Sequence, residues 1–415
     1  MKLAIFVDHF PVASQTFVLN QVTGLIDLGI DVTVVSLNPN ATSWADYEHL
    51  KAYELPSRTL YLNNGKPWGK LTRLRKRLGL TLKGLLHPAT VLRTLKALRW
   101  WRYSHQGTSL LLASVAAQVP QPLQFDVILC HFGFNGVLAD KLRDIGVLEG
   151  QITTIFHGYE ISAKRALQRY QQDYRGLFVH TALMLPVNDL WQQKLLQLGC
   201  PAEKIQVQRM GVDLSLFEFQ TKQGSNPSLQ LFSVARFAEK KGLEYGIRAL
   251  STLPEGIDFH YSLAGYGELA QSLADLVQEL KLSNRVSFLG PLNQSQVIEQ
   301  MAAADIFLQP SITAVNGDME GVPVAIMEAM AVGAVVVSTL HSGIPELIIH
   351  GEHGLLTTER NVAGLANNIS RLYHEPALYA ELRVKARQRI EHMADVAKLN
   401  QQLLERLEKL VPDGA

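Results

Sequence analysis

The sequence predicts an α/β protein of two doubly wound parallel sheets facing each other across a cleft. Two observations carry this expectation. Short apolar runs alternate with longer helical ones through most of the 415 residues, and strands that are apolar on both faces belong to parallel sheets covered by helices on either side. The alternation also stops once, at a polar stretch from Gln220 to Ser228 containing Gly224, Ser225, Asn226 and Pro227, and then restarts. A boundary near residues 213 to 228 divides the chain into a first domain, 1–213, and a second, 214–375, and a 47% apolar composition supplies both cores.

In the first half, KLAIFV reads as a buried strand and Thr16 to Leu28 as a helix, followed by strands DVTVVSL, FDVILCHF, QITTIFHG and GLFVHTA. The second half repeats the rhythm with LQLFSVAR, DFHYSLAG, RVSFLG, DIFLQPS and AVVVST. From Pro376 onward the pattern is helical and charged, which predicts terminal helices over 376–415 that return to brace the first domain. The opening apolar run ends at Asp8, too soon for a signal peptide, and the stretch Leu110 to Ala117 falls well short of a bilayer span. A cytoplasmic protein is expected. Cys130 and Cys200 are the only cysteines and neither has metal-ligand spacing around it, so both are expected to be buried thiols.

A net charge of +1 conceals an uneven distribution: twelve Lys or Arg and no acidic residue lie between Leu55 and Phe125, leaving 27 basic against 38 acidic side chains elsewhere. Within 66–102, Leu71, Leu74, Leu78, Leu82 and Leu85 recur at three- and four-residue spacing among Lys70, Arg73, Arg75, Lys76 and Arg77, as in a cationic amphipathic helix. Leu92, Leu95 and Leu98 precede Trp100, Trp101 and Tyr103, residue types that favour a membrane interface. The expected partner is the anionic inner face of a membrane. Two alternatives stand beside it: leucines packed on the domain under a solvated face, or cations that bind an acceptor's pyrophosphate. No RNA- or DNA-binding signature is present, so no nucleic-acid partner is expected.

The chemistry concentrates in MEGVPVAIMEAMAVG, where Glu320 and Glu328 flank seven residues. A carboxylate inside so apolar a run is costly to bury unless something hydrogen-bonds it, so Glu328 reads as a ligand-holding group. Pro323 suits a first helical position, which starts the helix around Gly321, Val322 and Pro323 and offers its free amides to an anion. Arg236 ends the strand LQLFSVA and Lys241 follows five residues later; a forked guanidinium and a point-charge ammonium at one strand end would grip a diphosphate. Gly265 and Gly267 in LAGYGE would let the backbone approach a ring or phosphate, although a tight turn explains them equally well. Gly343 and Glu346 in HSGIPELI follow another strand, where a simple turn with a surface glutamate is an alternative.

SVARFAEKKG, SLAGYGE, VSFLGPL, ADIFLQPS, MEGVPVAIMEAMAVG, VVVSTLHSGIPELI and GEHGLL occur in this order, and together they resemble glycosyltransferase family 4, retaining sugar-nucleotide transferases of GT-B fold with two Rossmann-like domains. SQTFVLNQ resembles the opening of a subgroup acting in colanic acid and other exopolysaccharide assembly. The resemblance implies that Arg236 and Lys241 bind the diphosphate, that Glu320 touches the transferred sugar and that Glu328 holds the ribose diol. It also places His157 next to that sugar; His131 in CHFGFNG likewise ends a strand and is a candidate for lining the acceptor side. Many members carry a Gly-Gly turn near the N-terminus; here Pro11-Val12-Ala13-Ser14 stands in its place, with Ser14, Gln15 and Thr16 as substitute polar groups.

The expected activity is transfer of a hexose from a nucleotide diphosphate sugar, UDP-linked, to a lipid-linked saccharide, with retention of configuration. The chain has no Asp-x-Asp, so the scheme calls for no metal and no cofactor. Another GT-B activity, such as an epimerase or phosphorylase, is the nearer alternative; a non-catalytic binding protein is the more distant one.

Overall fold

The computed structural model describes residues 1–12, 15–40, 44–63, 69–220 and 228–411. Its first sheet comprises β1 (Lys2–Phe10), β2 (Asp31–Pro39), β3 (Thr59–Tyr61), β4 (Leu123–His131), β5 (Leu148–Phe156) and β6 (Leu183–Pro186), all parallel, in the order β3-β2-β1-β4-β5-β6. The second comprises β7 (Leu229–Arg236), β8 (Phe259–Tyr266), β9 (Val286–Gly290), β10 (Ile306–Gln309), β11 (Val335–Thr339) and β12 (Leu355–Thr357), also parallel, in the order β12-β11-β10-β7-β8-β9. Leu3 to Val7 are all buried, as a strand covered by helices on both faces must be. In each sheet the winding reverses between the first and fourth strands, which opens a crevice beyond their carboxyl ends. His131 ends one of these strands and Arg236 another.

One expected strand is helix. GLFVHTA falls at the end of the helix Lys164–His180, and the strand follows it as Leu183–Pro186. Tyr174, Leu177 and Phe178 are buried at three- and four-residue spacing, and this longer helical stripe outweighs the local run of strand-forming residues. The helix of the glutamate segment starts at Val324, with Pro323 as its cap at ψ 115°, slightly later than the expected start.

The two domains are held together at several places. The helix Pro376–Met393 stays on the second domain, against Val324–Val332 and β11, while Val396–Glu408 crosses to pack on Thr16–Asp27. That last helix buries Leu403, Leu404 and Leu407, and Arg406 Nη1 donates to the Val207 carbonyl at 2.9 Å. Glu346 is more than a surface residue of a turn. Its carboxylate accepts from the backbone N–H of Asp189 at 2.9 Å, at the start of the first-domain helix Asp189–Gln197, and pairs with Arg209 at 2.6 Å. An acidic group at a helix N-terminus is electrostatically favourable, so this contact ties the domains with direction.

Candidate active site

At the mouth of the second sheet, Lys241 Nζ lies 2.9 Å from Glu320 Oε1. Lys241 stands in the short turn Glu239–Lys241 after β7, and Glu320 precedes the helix Val324–Val332. Lys240 Nζ reaches Asp318 at 3.1 Å. Burial opposes ionisation of Glu320 and is the largest single influence on it, yet Lys241 and Lys240 together outweigh it and hold the carboxyl at about 2. Glu320 is thus an ionised carboxylate at any physiological pH.

The loop carrying Glu320 is fixed from behind. The Glu320 N–H donates to His341 Nε2 at 3.1 Å, His341 Nδ1 lies 2.6 Å from Glu359 Oε1, and Ser342 Oγ donates to the Glu320 carbonyl at 2.6 Å. Nε2 accepts from the Glu320 N–H and Nδ1 donates to the Glu359 carboxylate, which sets the His341 tautomer with the proton on Nδ1. His341 and Glu359 carried no expectation from sequence. HSGIPE marked the loop, but nothing local in it signals a partner 18 or 21 positions away.

Gly321, Val322, Val324 and Ala325 form the approach to the helix, and among the described residues none of their N–H groups donates to a protein acceptor. Gly321 is needed for closeness: a Cβ there would overlap the His157 carbonyl oxygen of the other domain. Glu328 lies seven residues beyond Gly321, on the half-buried stripe shared with Val324 and Ala325. Burial alone pushes its carboxyl up to about 7, and no described side chain pairs with it. Arg236 ends β7 with its side chain 59% exposed, 3.6 Å from Glu268. Gly265 (φ +129°) and Gly267 (φ +157°) are accounted for by packing, since a Cβ at either would overlap the carbonyl oxygens of Ala235 and Phe237 beside the end of β7.

Across the cleft, His157 follows β5 in a turn gripped by Glu160. The Glu160 carboxylate accepts from the N–H groups of His157 at 2.7 Å and Gly158 at 3.1 Å. Burial raises the Glu160 carboxyl to about 6 against the lowering effect of these bonds. The His157 ring packs against Phe17 and Phe132, with centroids 4.7 and 4.5 Å away. Phe17 therefore brings the N-terminal helix to the site. Gln15 caps that helix, Thr16 begins it, and Ser14 lies outside the described residues. His131 does not line the acceptor side: it is 0% exposed, and its Nδ1 lies 3.1 Å from His157 Nε2. The ends of β4 and β5 are neighbours in the sheet, so one strand-end histidine covers the other.

Residues 217–389 match the family model described as glycosyl transferases group 1. AmsK of Erwinia amylovora, an amylovoran biosynthesis glycosyltransferase, is 41% identical over 413 residues, covering 99% of this chain and 100% of AmsK. This chain belongs to the group 1 glycosyltransferases. WcaL of Salmonella typhimurium, named for colanic acid biosynthesis, is likewise 41% identical over 414 residues, 99% of this glycosyltransferase and 100% of WcaL. The GT-B architecture is shared with Anabaena HepE, solved with UDP and glucose (TM-score 0.71, 21% identity, 98% of this chain and 99% of HepE). WaaG, a glycosyltransferase involved in lipopolysaccharide biosynthesis, has the same fold (TM-score 0.66, 13% identity, 99% and 100%).

The basic region forms a lip on the first domain of the glycosyltransferase. Along the helix Lys70–Leu86, Leu71, Leu74, Leu78 and Leu82 are exposed; Leu92, Leu95, Trp100 and Trp101 continue the surface, Leu71 at 66% and Trp101 at 70% exposure. These leucines point away from the domain, whereas Leu98 packs against its core and Leu85 is half-buried, so the alternative of leucines packed on the domain holds for only part of the set. Thr81 and Gly84 face inward, and Arg77 Nη1 donates to the Ser109 carbonyl at 3.0 Å, so Arg77 anchors the helix. Tyr103 is also buried and donates to Asp144 at 2.5 Å. Among the described residues no helix is long and apolar enough to cross a membrane, and no cluster of His, Cys, Asp or Glu could hold a metal ion.

Proposed function

We propose that this glycosyltransferase moves a hexose, with retention, from a UDP-sugar to a lipid-linked saccharide in exopolysaccharide assembly, working at the inner face of the cytoplasmic membrane. The observation that carries this reading is the meeting of the Lys241–Glu320 pair with the free amides of Gly321, Val322, Val324 and Ala325, at sheet mouths where His157 closes the other side. The names of AmsK and WcaL support the exopolysaccharide role, and the UDP and UDP-glucose complexes of HepE support the UDP-sugar.

In this scheme Arg236, Lys241 and the amides hold the diphosphate, Glu320 accepts from hydroxyls of the transferred sugar, and Glu328 takes the ribose diol, which would provide its missing partners. The bond from the anomeric carbon to the phosphate oxygen breaks while a bond to the acceptor oxygen forms on the same face. The acceptor proton passes to the departing phosphate. Cations and amides preorganised around that phosphate stabilise the developing charge without a metal.

The lip serves the acceptor. Its outward leucines and tryptophans enter the headgroup region while neighbouring cations meet anionic lipid, bringing the cleft to a lipid-linked saccharide. Liposome flotation should show binding that rises with anionic lipid and falls for Leu74→Ser with Leu78→Ser, and separately for Arg75→Gln with Lys83→Gln. Equal binding to neutral and anionic vesicles would overturn the docking. The activity itself is tested by mass spectrometry of membrane-extracted lipids incubated with a panel of UDP-sugars. A lipid gaining one hexose is expected; release of an epimer or a sugar phosphate would favour the other GT-B chemistries.

A further inference from the structure

We infer that His131 is a positioning residue that fixes the tautomer of His157, so that His157 presents a protonated Nδ1 to the cleft and acts there as a hydrogen-bond donor. The inference rests on the proposed nucleotide-sugar site and specifies what its first-domain wall can do.

The two rings are nearly parallel, with centroids 5.3 Å apart and an interplanar angle of 18°, and His131 Nδ1 lies 3.1 Å from His157 Nε2. One proton lies between these two nitrogens. Burial drives both imidazoles toward the neutral form, His131 to about 3, so each ring carries a single N–H. Two arrangements follow. If His157 Nε2 donates, the proton of His131 must sit on its Nε2, a fully buried nitrogen with no protein group to receive it. If His131 Nδ1 donates, its Nε2 is left only as an unused acceptor. Orphaned buried N–H groups are rarer than under-used acceptors, so the second arrangement is favoured.

The proton of His157 is then on Nδ1. Its backbone is held by Glu160 and its ring packs against Phe17 and Phe132, contacts that oppose turning of the imidazole out of the constraint. His131 is itself held at the end of β4, where Asn135 Nδ2 donates to its carbonyl at 2.8 Å. A His157 of this tautomer donates to an oxygen of the bound sugar or its phosphate. It has no free lone pair with which to take the acceptor's proton, which fits a scheme in which the leaving phosphate takes it.

Nitrogen-15 NMR of the histidine rings of the full chain tests this directly, with the His157 signals identified by their loss in His157→Gln. A protonated Nδ1 and bare Nε2 on His157 are expected without any ligand; a protonated Nε2 would overturn the inference, whatever the sugar specificity proves to be. Turnover provides the second readout. His131→Asn, whose amide nitrogen can occupy the place of Nδ1, should retain most of kcat, while His131→Phe should lower kcat by about tenfold with a smaller change in the KM for UDP-sugar. Equal kcat in folded His131→Phe and wild-type protein would show that the tautomer does not matter to catalysis. Absence of any transfer by wild type would instead count against the proposed function, leaving the ring spectra as an independent measure of the tautomer.

Discussion

The Lys241 ammonium and the Glu320 carboxylate are 2.9 Å apart, so the cation proposed for the diphosphate and the carboxylate proposed for the sugar are one coupled unit. A bound diphosphate would share Lys241 with Glu320, drawing the leaving group and the sugar hydroxyls toward the same ammonium. Removal of either partner also strands the other in a largely buried place.

Glu320→Gln and Lys241→Ala should each lower kcat/KM by roughly a hundredfold or more, the scale of losing one preorganised contact. The double variant should be little worse than either single one, because the two act together. Steady-state kinetics on folded proteins checks this; losses that multiply would mean independent roles.

Glu328 should make ligand binding depend on pH near neutrality. Its carboxyl is raised to about 7, and only the ionised form accepts from both hydroxyls of a ribose diol, so UDP affinity measured by calorimetry should strengthen as pH rises through that value. Glu328→Gln should flatten the profile.

The same carboxyl has an opposite effect on the unliganded fold. A folded-state value raised from 4.5 to about 7 means that the native chain holds the proton more tightly than the unfolded one, so its contribution is complete below 4.5 and declines as pH rises through 7. Thermal unfolding of Glu328→Gln should occur above that of wild type at about pH 8, with the gain lost toward pH 4.5.

His341 should matter to turnover although no ligand need touch it. His341→Phe leaves the buried Glu320 N–H without its acceptor, a cost of about 1–3 kcal/mol in stability, and should loosen the loop enough to lower kcat. Glu359→Gln keeps an acceptor oxygen for His341 Nδ1 and should be milder in both differential scanning calorimetry and kinetics.

Transfer should persist in excess chelator, because Arg236, Lys241 and the helix amides are proposed to meet the diphosphate charge. Loss of activity on chelation, restored by magnesium or manganese, would show that this set of cations is insufficient.

Much of the second domain was legible because its strands are apolar runs separated by turn residues, and because Arg236, Lys241 and Glu320 fall at or near ends of elements that the pattern already marks, with Glu328 inside the helix that follows. GLFVHTA misled for the converse reason: its local composition suits a strand, and only the buried stripe reaching back to Tyr174 reveals the helix. Glu160, His341 and Phe17 were not legible as site residues, since their roles come from contacts made by neighbouring strand ends and distant loops. For His131 the strand end was correct, but sequence alone could not show that β5 would bring His157 over it. The spacing places Arg77 among the helix's cations, whereas its contact with Ser109 makes it part of the lip's foundation.

The crossing of Val396–Glu408 onto Thr16–Asp27 has a consequence for biosynthesis. During synthesis the helix Thr16–Asp27 emerges long before the segment that covers it. The nascent first domain must therefore wait, with part of its apolar surface open to solvent or to a chaperone, until residues 396–408 have cleared the ribosome. Maturation of the two halves is thus chronologically linked, and a truncation in this helix should leave a first domain that forms its sheet yet remains prone to aggregate.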